Sequence, residues 1–205
     1  MSKINIDRIV KDIKSKTTSL TPVIEAVCNS IDAIGPERTD GVIDIIVKRT
    51  GQRSLNLDNT HTLSDIVSID IVDNGIGFTE ENKDSFDTYR SGFKMSKGGK
   101  GFGRFMYLKY FNNVSIESVF REGDKYKQRS FTFGHADEII ENEQIIDLKS
   151  NPDLHTGTVL HLSSIKSFDL DKGLEVIARK LVERLLVFFV TGGKYTPIIT
   201  IKEDD

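Results

Sequence analysis

Three oxygen-bearing side chains recur at helical spacing in the stretch EAVCNSIDA, residues 25–33. Glu25, Asn29 and Asp32 fall within an arc of roughly 60° on a helix that advances about 100° per residue. Burying three aligned polar groups without partners is unfavourable. We therefore expect this side of the helix to face a cleft that contains a ligand. The neighbouring arc of about 120° is apolar and contains Ile24, Val27, Cys28, Ile31 and Ile34.

Two glycine-rich stretches extend the pattern. DNGIG at residues 73–77 follows a predicted strand, and GGKGFG at residues 98–103 precedes a predicted helix. Glycines let a backbone turn sharply and approach a ligand closely, and the start of a helix attracts anions. Arg104 and Glu80 break the two G-x-G-x-x-G alignments, and neither stretch supplies the G-K-[ST] of a Walker loop. Either cluster alone is more often an ordinary turn, so the weight lies in their combination.

The composition favours one folded domain spanning residues 1–205, since 38% hydrophobic content in a chain of 205 residues suffices for one substantial core. A net charge of −3 leaves no basic stripe for a polyanion, so nucleic-acid binding is not predicted. The single cysteine, Cys28, excludes an internal disulfide, and its apolar neighbours predict a packed thiol. The longest apolar run, LLVFFV, is too short to span a bilayer. The default is a cytoplasmic protein without membrane contact.

Hydrophobic periodicity predicts a helix over residues 5–14 and a second over 19–35, with Thr21 as its cap, Pro22 in its first turn and Gly35 past its end. The polar stretch 51–65 is expected to be a hairpin loop, and residues 78–103 a mobile segment. The pattern predicts an α+β fold: a two-layer α/β sandwich whose mainly antiparallel sheet has helices on one face. The other predicted strands and helices are GVIDIIVKRT, IVSIDIVDNG, RFMYLKYF, VSIESVFREG, KYKQRSFTFG, EQIIDLKS, GTVLHLSSI, the helix from Leu174 to Phe188, and TPIITIK.

Four boxes, taken in this order, resemble the GHKL superfamily, which groups type II topoisomerases, heat-shock chaperone ATPases, histidine kinases and MutL-type repair proteins. Members share the Bergerat ATP-binding fold, a mixed, mainly antiparallel sheet with helices on one face. The resemblance extends from about residue 20 to residue 162, and its specificity lies in the order and spacing of the boxes. The boxes are E-x-x-x-N-x-x-D-A at 25–33, D-x-G-x-G at 73–77, G-x-G-x-G at 99–103, and G-T at 157–158.

The resemblance implies a role for each polar residue of the boxes. Asn29 would ligate the Mg²⁺ that bridges the ATP phosphates, and Glu25 would be the catalytic general base that orients or deprotonates the attacking water. Asp73 would accept a hydrogen bond from the adenine amino group, with Thr158 helping directly or through a water. Asp32 would support Asn29 or a water. Two plainer alternatives stay open: Asp32 as a cap or salt-bridge partner, and Thr158 as an ordinary strand residue.

The resemblance also implies roles for the glycines. Those of the first stretch would leave room for the base and the ribose, and those of the second would form the lid and phosphate loop. Lys97, Lys100 and Arg104 are cations within reach of phosphates by sequence, although lysines in such a loop are more often simply solvated. The remaining nucleotide-binding set is thus Gly75, Gly77, Gly99, Lys100, Gly101, Phe102 and Gly103.

The function implied is an Mg²⁺-dependent ATPase that binds ATP and ADP. Closure of its lid on the nucleotide would drive a conformational change, commonly homodimerisation, in a larger machine. Gyrase-like and MutL-like members complete their site with a lysine from a following domain, whereas this sequence ends at IKEDD. We therefore expect the N-terminal part of a longer protein, or a cation supplied from elsewhere, and slow hydrolysis by the isolated domain.

Two other functions stay open. A histidine-kinase-type catalytic domain would transfer phosphate to a partner protein, but such domains do not need a hydrolytic glutamate, and no histidine precedes Glu25. A nucleotide-sensing scaffold would bind ATP without turnover. Which machine the domain serves cannot be read from the motifs, because fold analogy does not choose among topology change, chaperoning, chromatin compaction, repair and phage defence.

Overall fold

The computed structural model describes residues 6–13, 17–50, 63–87, 105–134, 138–149, 151–167, 170–191 and 196–204. Within these residues the chain is a mixed α/β protein with five helices and one sheet of seven strands. The helices are α1 (Ile6–Asp12), α2 (Thr21–Ile34), α3 (Glu80–Asp87), α4 (Phe105–Tyr110) and α5 (Leu174–Thr191). The strands are β1 (Val42–Arg49), β2 (Ile66–Asp73), β3 (Phe111–Glu122), β4 (Lys125–Phe133), β5 (Ile140–Asp147), β6 (Gly157–Ile165) and β7 (Ile198–Glu203).

The sheet is mainly antiparallel, as predicted. Its strand order is β5-β4-β3-β6-β2-β1-β7, and only the β1–β7 pair is parallel. Strands β1 and β2 are antiparallel neighbours, which is the pairing that a hairpin requires. Residues 51–62 of the connecting stretch lie outside the described residues. The strand order places β2 and β6, which carry two of the sequence boxes, side by side near the middle of the sheet.

The core lies on one face of the sheet, because Val, Ile, Leu and Phe alternate with polar residues along the strands. Side chains from α1, α2, α4 and α5 complete the same core, and the partly buried Phe86 of α3 packs against it. Four pairwise registers align one apolar row across five strands. That row consists of Ile45, Ile71, Leu160, Ile116 and Phe131.

The opposite face of the sheet is mixed, with partly buried Ile46 and Val72 beside ion pairs. The Asp70 carboxylate, only 7% exposed, lies 2.9 Å from Lys48 Nζ and 2.9 Å from His161 Nδ1.

Helix α2 begins and ends as proline and glycine specify. Pro22 occupies the first turn, where its missing N–H costs no helical hydrogen bond. The prediction that Thr21 caps the helix is wrong: Leu20 holds the cap position without a side-chain bond. The Thr21 hydroxyl instead accepts a hydrogen bond of 3.0 Å from the Thr18 N–H, so it closes the preceding turn. The predicted end is confirmed at Gly35, which has a φ of 80°.

Helix α3 corrects the expectation of an unpacked, mobile segment after Gly77. Residues 80–87 are helical, and the Thr79 hydroxyl caps them by accepting a 3.2 Å hydrogen bond from the Asn82 N–H. The helix packs through aromatic rings: Phe86 lies 5.4 Å from Phe78 and 5.8 Å from Phe131, measured between ring centroids. The rest of the predicted segment, residues 88–103, lies outside the described residues.

Helices α4 and α5 occur where the hydrophobic spacing predicts them. All residues of α4 except Lys109 are buried, and α5 buries Ile177, Leu181 and Leu185. Among the described residues, none of the helices combines the length and the apolar character that crossing a membrane requires.

Candidate functional site

The polar side of α2 is accessible, as its composition predicts. Glu25 and Asn29 are partly buried and Asp32 is exposed, whereas Val27 on the opposite side is fully buried. Cys28 is exposed, so the prediction of a packed thiol is wrong. The reason is its angular position: Cys28 lies between the apolar and polar arcs, and the buried face of α2 is centred on the far side of Val27. The accessible strip of α2 therefore carries two carboxylates, one amide and one thiol.

Asp73, at the end of β2, is a buried carboxylate only 9% exposed. Its Oδ2 accepts a 2.8 Å hydrogen bond from Ser30 Oγ on α2, and its Oδ1 accepts one of 2.9 Å from the Gly75 N–H. Burial raises the pKa of Asp73 above its ordinary value, and hydrogen bonds from Gly75, Ser30 and the Thr158 backbone oppose that rise in pKa. The side chain is thus a fixed acceptor at the inner edge of the sheet, held from both α2 and β6.

A polar row continues from Asp73 across the core face of the sheet. Asp73 pairs in register with Thr158, Thr158 with Ser118, and Ser118 with Arg129. Ser118 Oγ donates a 2.9 Å hydrogen bond to the Gly157 carbonyl, and it lies 3.1 Å from Thr158 Oγ1. Because a serine hydroxyl has one proton, the proton between the two hydroxyls comes from Thr158. Thr158 therefore offers lone pairs beside the Asp73 carboxylate, and both groups are suited to accept hydrogen bonds.

The asparagine of the DNGIG stretch has a structural role that the sequence reading did not assign. Asn74 Nδ2 donates a 2.7 Å hydrogen bond to the Asp40 carbonyl, and Asn74 Oδ1 accepts one of 2.9 Å from the Val42 N–H. Arg38 also donates to the Asn74 carbonyl. These contacts tie the turn after β2 to the connection between α2 and β1, so Asn74 fixes the backbone that follows Asp73.

The glycines at 75 and 77 are explained by contacts within the protein. A Cβ on Gly75 would lie 2.8 Å from the Ala33 Cβ of α2. A Cβ on Gly77 would lie 2.3 Å from the Val119 carbonyl oxygen, and Gly77 has a φ of 78°. These contacts involve only protein atoms, so they are independent of the predicted role of the two glycines, which is to leave room for a base and a ribose. What they do require is close approach of the turn to both α2 and β3.

Asn29 is contacted from α4, the helix whose first residue follows Gly103 by two positions. Asn29 Nδ2 donates a 3.1 Å hydrogen bond to the hydroxyl of Tyr107, a residue only 2% exposed. Helix α2 therefore touches the D-x-G-x-G turn through Ser30 and Ala33, and α4 through Asn29. No sequence signal singles out Tyr107, because an aromatic residue in an apolar helix is typical of a core.

Arg129 is a buried cation beside the D-x-G-x-G turn that no sequence signal singles out. Its side chain is 0% exposed, and its guanidinium donates hydrogen bonds of 2.7 Å to the Phe78 carbonyl and 3.0 Å to the Thr79 carbonyl. It also forms an ion pair with Glu80, and its Nε lies 3.0 Å from Glu143 without the alignment of a hydrogen bond. Arg129 thus anchors the chain where it leaves the D-x-G-x-G turn and enters α3.

The predicted site residues divide into two groups. The first group lies within the described residues, on α2, at the end of β2, on the turn after it, or at the adjacent start of β6. It consists of Glu25, Asn29, Asp32, Asp73, Gly75, Gly77 and Thr158. Gly99, Lys100, Gly101, Phe102 and Gly103 lie outside the described residues. Over the described ranges, no group of three or more His, Cys, Asp and Glu side chains is placed to hold a metal ion.

Comparison with known proteins adds no family assignment. A scan against models of protein families gives no match. A search of curated proteins also gives no match. The resemblance stated above therefore rests on the sequence boxes themselves.

Proposed function

We propose that this chain is an Mg²⁺-dependent module of the Bergerat type that binds and hydrolyses ATP. The observation that carries the proposal is the convergence on α2. Ser30 of this helix holds the buried Asp73 carboxylate at 2.8 Å, while Glu25, Asn29 and Asp32 occupy its accessible strip. The helix that holds the Asp73 acceptor of β2 in place therefore also presents a set of oxygen ligands. This arrangement suits a nucleotide, whose base and charged phosphates need different partners.

The hydrogen-bond acceptors at Asp73 and Thr158 suit adenine. The Asp73 carboxylate and the Thr158 hydroxyl both accept hydrogen bonds, and adenine presents an exocyclic amino group as a donor. A site built to bond a donor rejects analogues that lack it, because its own buried polar groups would be left unpaired. Guanine and pyrimidine-4-one bases, which carry a carbonyl at the corresponding position, would place an acceptor against these acceptors.

The oxygen-bearing side chains on the accessible strip of α2 suit a hard cation that is bound mainly through the nucleotide. Mg²⁺ keeps several waters and takes few protein ligands, usually together with substrate phosphates. Asn29 supplies an oxygen donor beside the carboxylates of Glu25 and Asp32, so the donor set fits this ion, and the absence of a larger cluster among the described residues is compatible with it. When bound, the ion would neutralise phosphate charge. Glu25, one helical turn from Asn29, would orient the attacking water and accept its proton.

In this proposal, occupancy by ATP changes the conformation or the self-association of a larger assembly, and hydrolysis reverses that change. A ligand shifts such an equilibrium only by its difference in affinity for the two states. If ATP binding changes self-association, the mass of the assembly in solution should change when ATP is added.

Isothermal titration of the 205-residue chain with ATP and Mg²⁺ tests the proposal directly. We expect ATP to bind the unmodified chain, and Asp73→Asn to abolish binding because the substitution replaces an acceptor by a donor. Glu25→Ala should retain ATP affinity and lose hydrolysis, measured as released phosphate. If the unmodified chain binds no adenine nucleotide, or if Asp73→Asn binds as tightly as the parent, the proposal is wrong.

A further inference from the structure

Tyr107 links the first turn of α4 to the accessible strip of α2. Its hydroxyl accepts the 3.1 Å hydrogen bond from Asn29 Nδ2, and the two residues are 78 positions apart in the sequence. The tyrosine is 2% exposed, so the bond is made at the boundary between the core and the accessible strip. An aromatic hydroxyl that reaches the edge of the core in this way is satisfied only if a polar partner stands there.

The ring that carries this hydroxyl is fixed by packing. Tyr107 belongs to the hydrophobic core and meets Phe133 of β4 edge to face, with ring centroids 6.4 Å apart. Its neighbours Phe105, Met106 and Leu108 are also buried. The hydroxyl therefore has little freedom to follow a moving partner, and it acts as a stationary reference point for the Asn29 amide.

We propose that Tyr107 is a positioning residue that sets the orientation of the Asn29 amide for the Mg²⁺–nucleotide complex; this inference rests on the function proposed above. An asparagine amide is planar, so holding its nitrogen also sets the direction of its oxygen. Residues that orient a metal ligand without touching the metal typically contribute 10–100-fold to metal affinity. Tyr107 would also make the placement of Asn29 depend on the packing of α4, a helix that follows the second glycine-rich stretch in the chain.

The test compares the affinity for a fluorescent ATP analogue in Mg²⁺ with that in EDTA, using the full chain. The ratio of the two affinities isolates the contribution of the ion from that of the base. Tyr107→Phe removes only the hydroxyl, so we expect the ratio to fall by about 10-fold or more while the affinity in EDTA is unchanged. Tyr110→Phe is the matched control, because Tyr110 lies on the same helix, is 8% exposed, and bonds Thr17 Oγ1 at 2.7 Å instead of Asn29.

A double-mutant cycle with Asn29→Ala distinguishes coupling from general damage. If Tyr107 acts through Asn29, the double variant should lose no more of the Mg²⁺ effect than Asn29→Ala alone. The side-chain amide resonances of Asn29, identified by their absence in Asn29→Ala, should shift in Tyr107→Phe and not in Tyr110→Phe without any nucleotide present. An unchanged affinity ratio, additive losses, or unshifted amide resonances would overturn the positioning role. If the unmodified chain binds no nucleotide, the proposed function fails and takes this inference with it. If the unmodified chain binds nucleotide but the Tyr107 readouts are unchanged, only the positioning role fails.

Discussion

Replacing Arg129 by methionine should lower the free energy of unfolding more than replacing an exposed arginine nearby. Methionine keeps part of the aliphatic packing but removes the donors to the Phe78 and Thr79 carbonyls. Hydrogen bonds from a charged group contribute about 1.5–3 kcal/mol each when their partner would otherwise stay buried. The guanidinium also lies 5.0 Å from the Phe120 ring centroid, a contact that contributes about 2 kcal/mol when desolvated.

The ion pairs of Arg129 add less. The side chains of Glu80 and Glu143 are 58% and 31% exposed, so water can solvate them when the arginine is gone. Contributions of groups within one network do not add, so the sum of these values is an upper limit. We expect Arg129→Met to lower the free energy of unfolding by about 3–5 kcal/mol, the range for removing one member of a buried charged network. Arg129→Lys should be intermediate, since one ammonium group cannot reproduce the planar fork of donors.

Urea unfolding followed by circular dichroism measures these differences, with Arg121→Met as the matched control. Arg121 is exposed on β3, and its guanidinium lies 5.3 Å from the Tyr126 ring centroid. Arg121 therefore shares the ring contact of Arg129 but not its burial. The control should lose less than about 1 kcal/mol. If Arg129→Met were as stable as Arg121→Met, the assignment of Arg129 as an anchor of the turn would be wrong.

Two further predictions concern Asp73 and Gly77. Burial raises the pKa of Asp73 above its ordinary value of 3.8, so the protonated form is favoured in the folded state and the stability it contributes is lost as pH rises through the folded pKa. Urea unfolding at several pH values should therefore show Asp73→Asn gaining stability relative to the parent as pH rises from about 3 to 7. If the free energy of unfolding of Asp73→Asn minus that of the parent stays constant or falls over this range, the assigned direction is wrong. Gly77→Ala combines a φ of 78° with a Cβ 2.3 Å from the Val119 carbonyl, whereas Gly123→Ala has a φ of 60° and open space. We expect thermal unfolding to show about 1 kcal/mol of loss for Gly123→Ala and at least about 2 kcal/mol for Gly77→Ala, and equal losses would contradict the steric argument.

Local sequence signals predicted most of the elements because the physics that forms them is local. Pro22 and Gly35 bracket α2, and alternating Ile and Val residues define β1 and β2. The turn at Gly123 joins β3 to β4 where the sequence REGDK indicates a break. Each of these depends on neighbours within a few residues, so no knowledge of the rest of the chain is needed.

Helix α3 was missed although a local signal existed. Thr79 followed by Glu80 and Glu81 is a typical helix start, with a capping hydroxyl and acidic residues in the first turn. The many polar and glycine residues downstream are typical of a mobile segment, and they obscure that signal. The apolar partners that hold the helix, Phe131 and Phe133, lie about 50 residues later and could not be assigned from the local pattern.

The candidate residues of the site come from the sequence, but the contacts that support them do not. Glu25, Asn29 and Asp32 follow from helical spacing and Asp73 from the resemblance, whereas the register that aligns Thr158 and Ser118 with Asp73 depends on the strand order β3-β6-β2. Alternation alone does not specify which strands become neighbours. The bonds from Arg129 to the start of α3 and from Asn29 to Tyr107 are equally non-local, since each joins segments separated by 49 or more residues.

The exposed position of Cys28 gives the chain a built-in attachment point. It is the only cysteine in the sequence, and it stands one residue before Asn29 on the accessible strip of α2. Maleimide chemistry will therefore place one dye per molecule without any engineered thiol, and its emission will report directly on what arrives beside that strip. Paired nitroxide labels at the same position will give the distance between two copies in frozen solution, so self-association can be followed from the α2 side of the molecule.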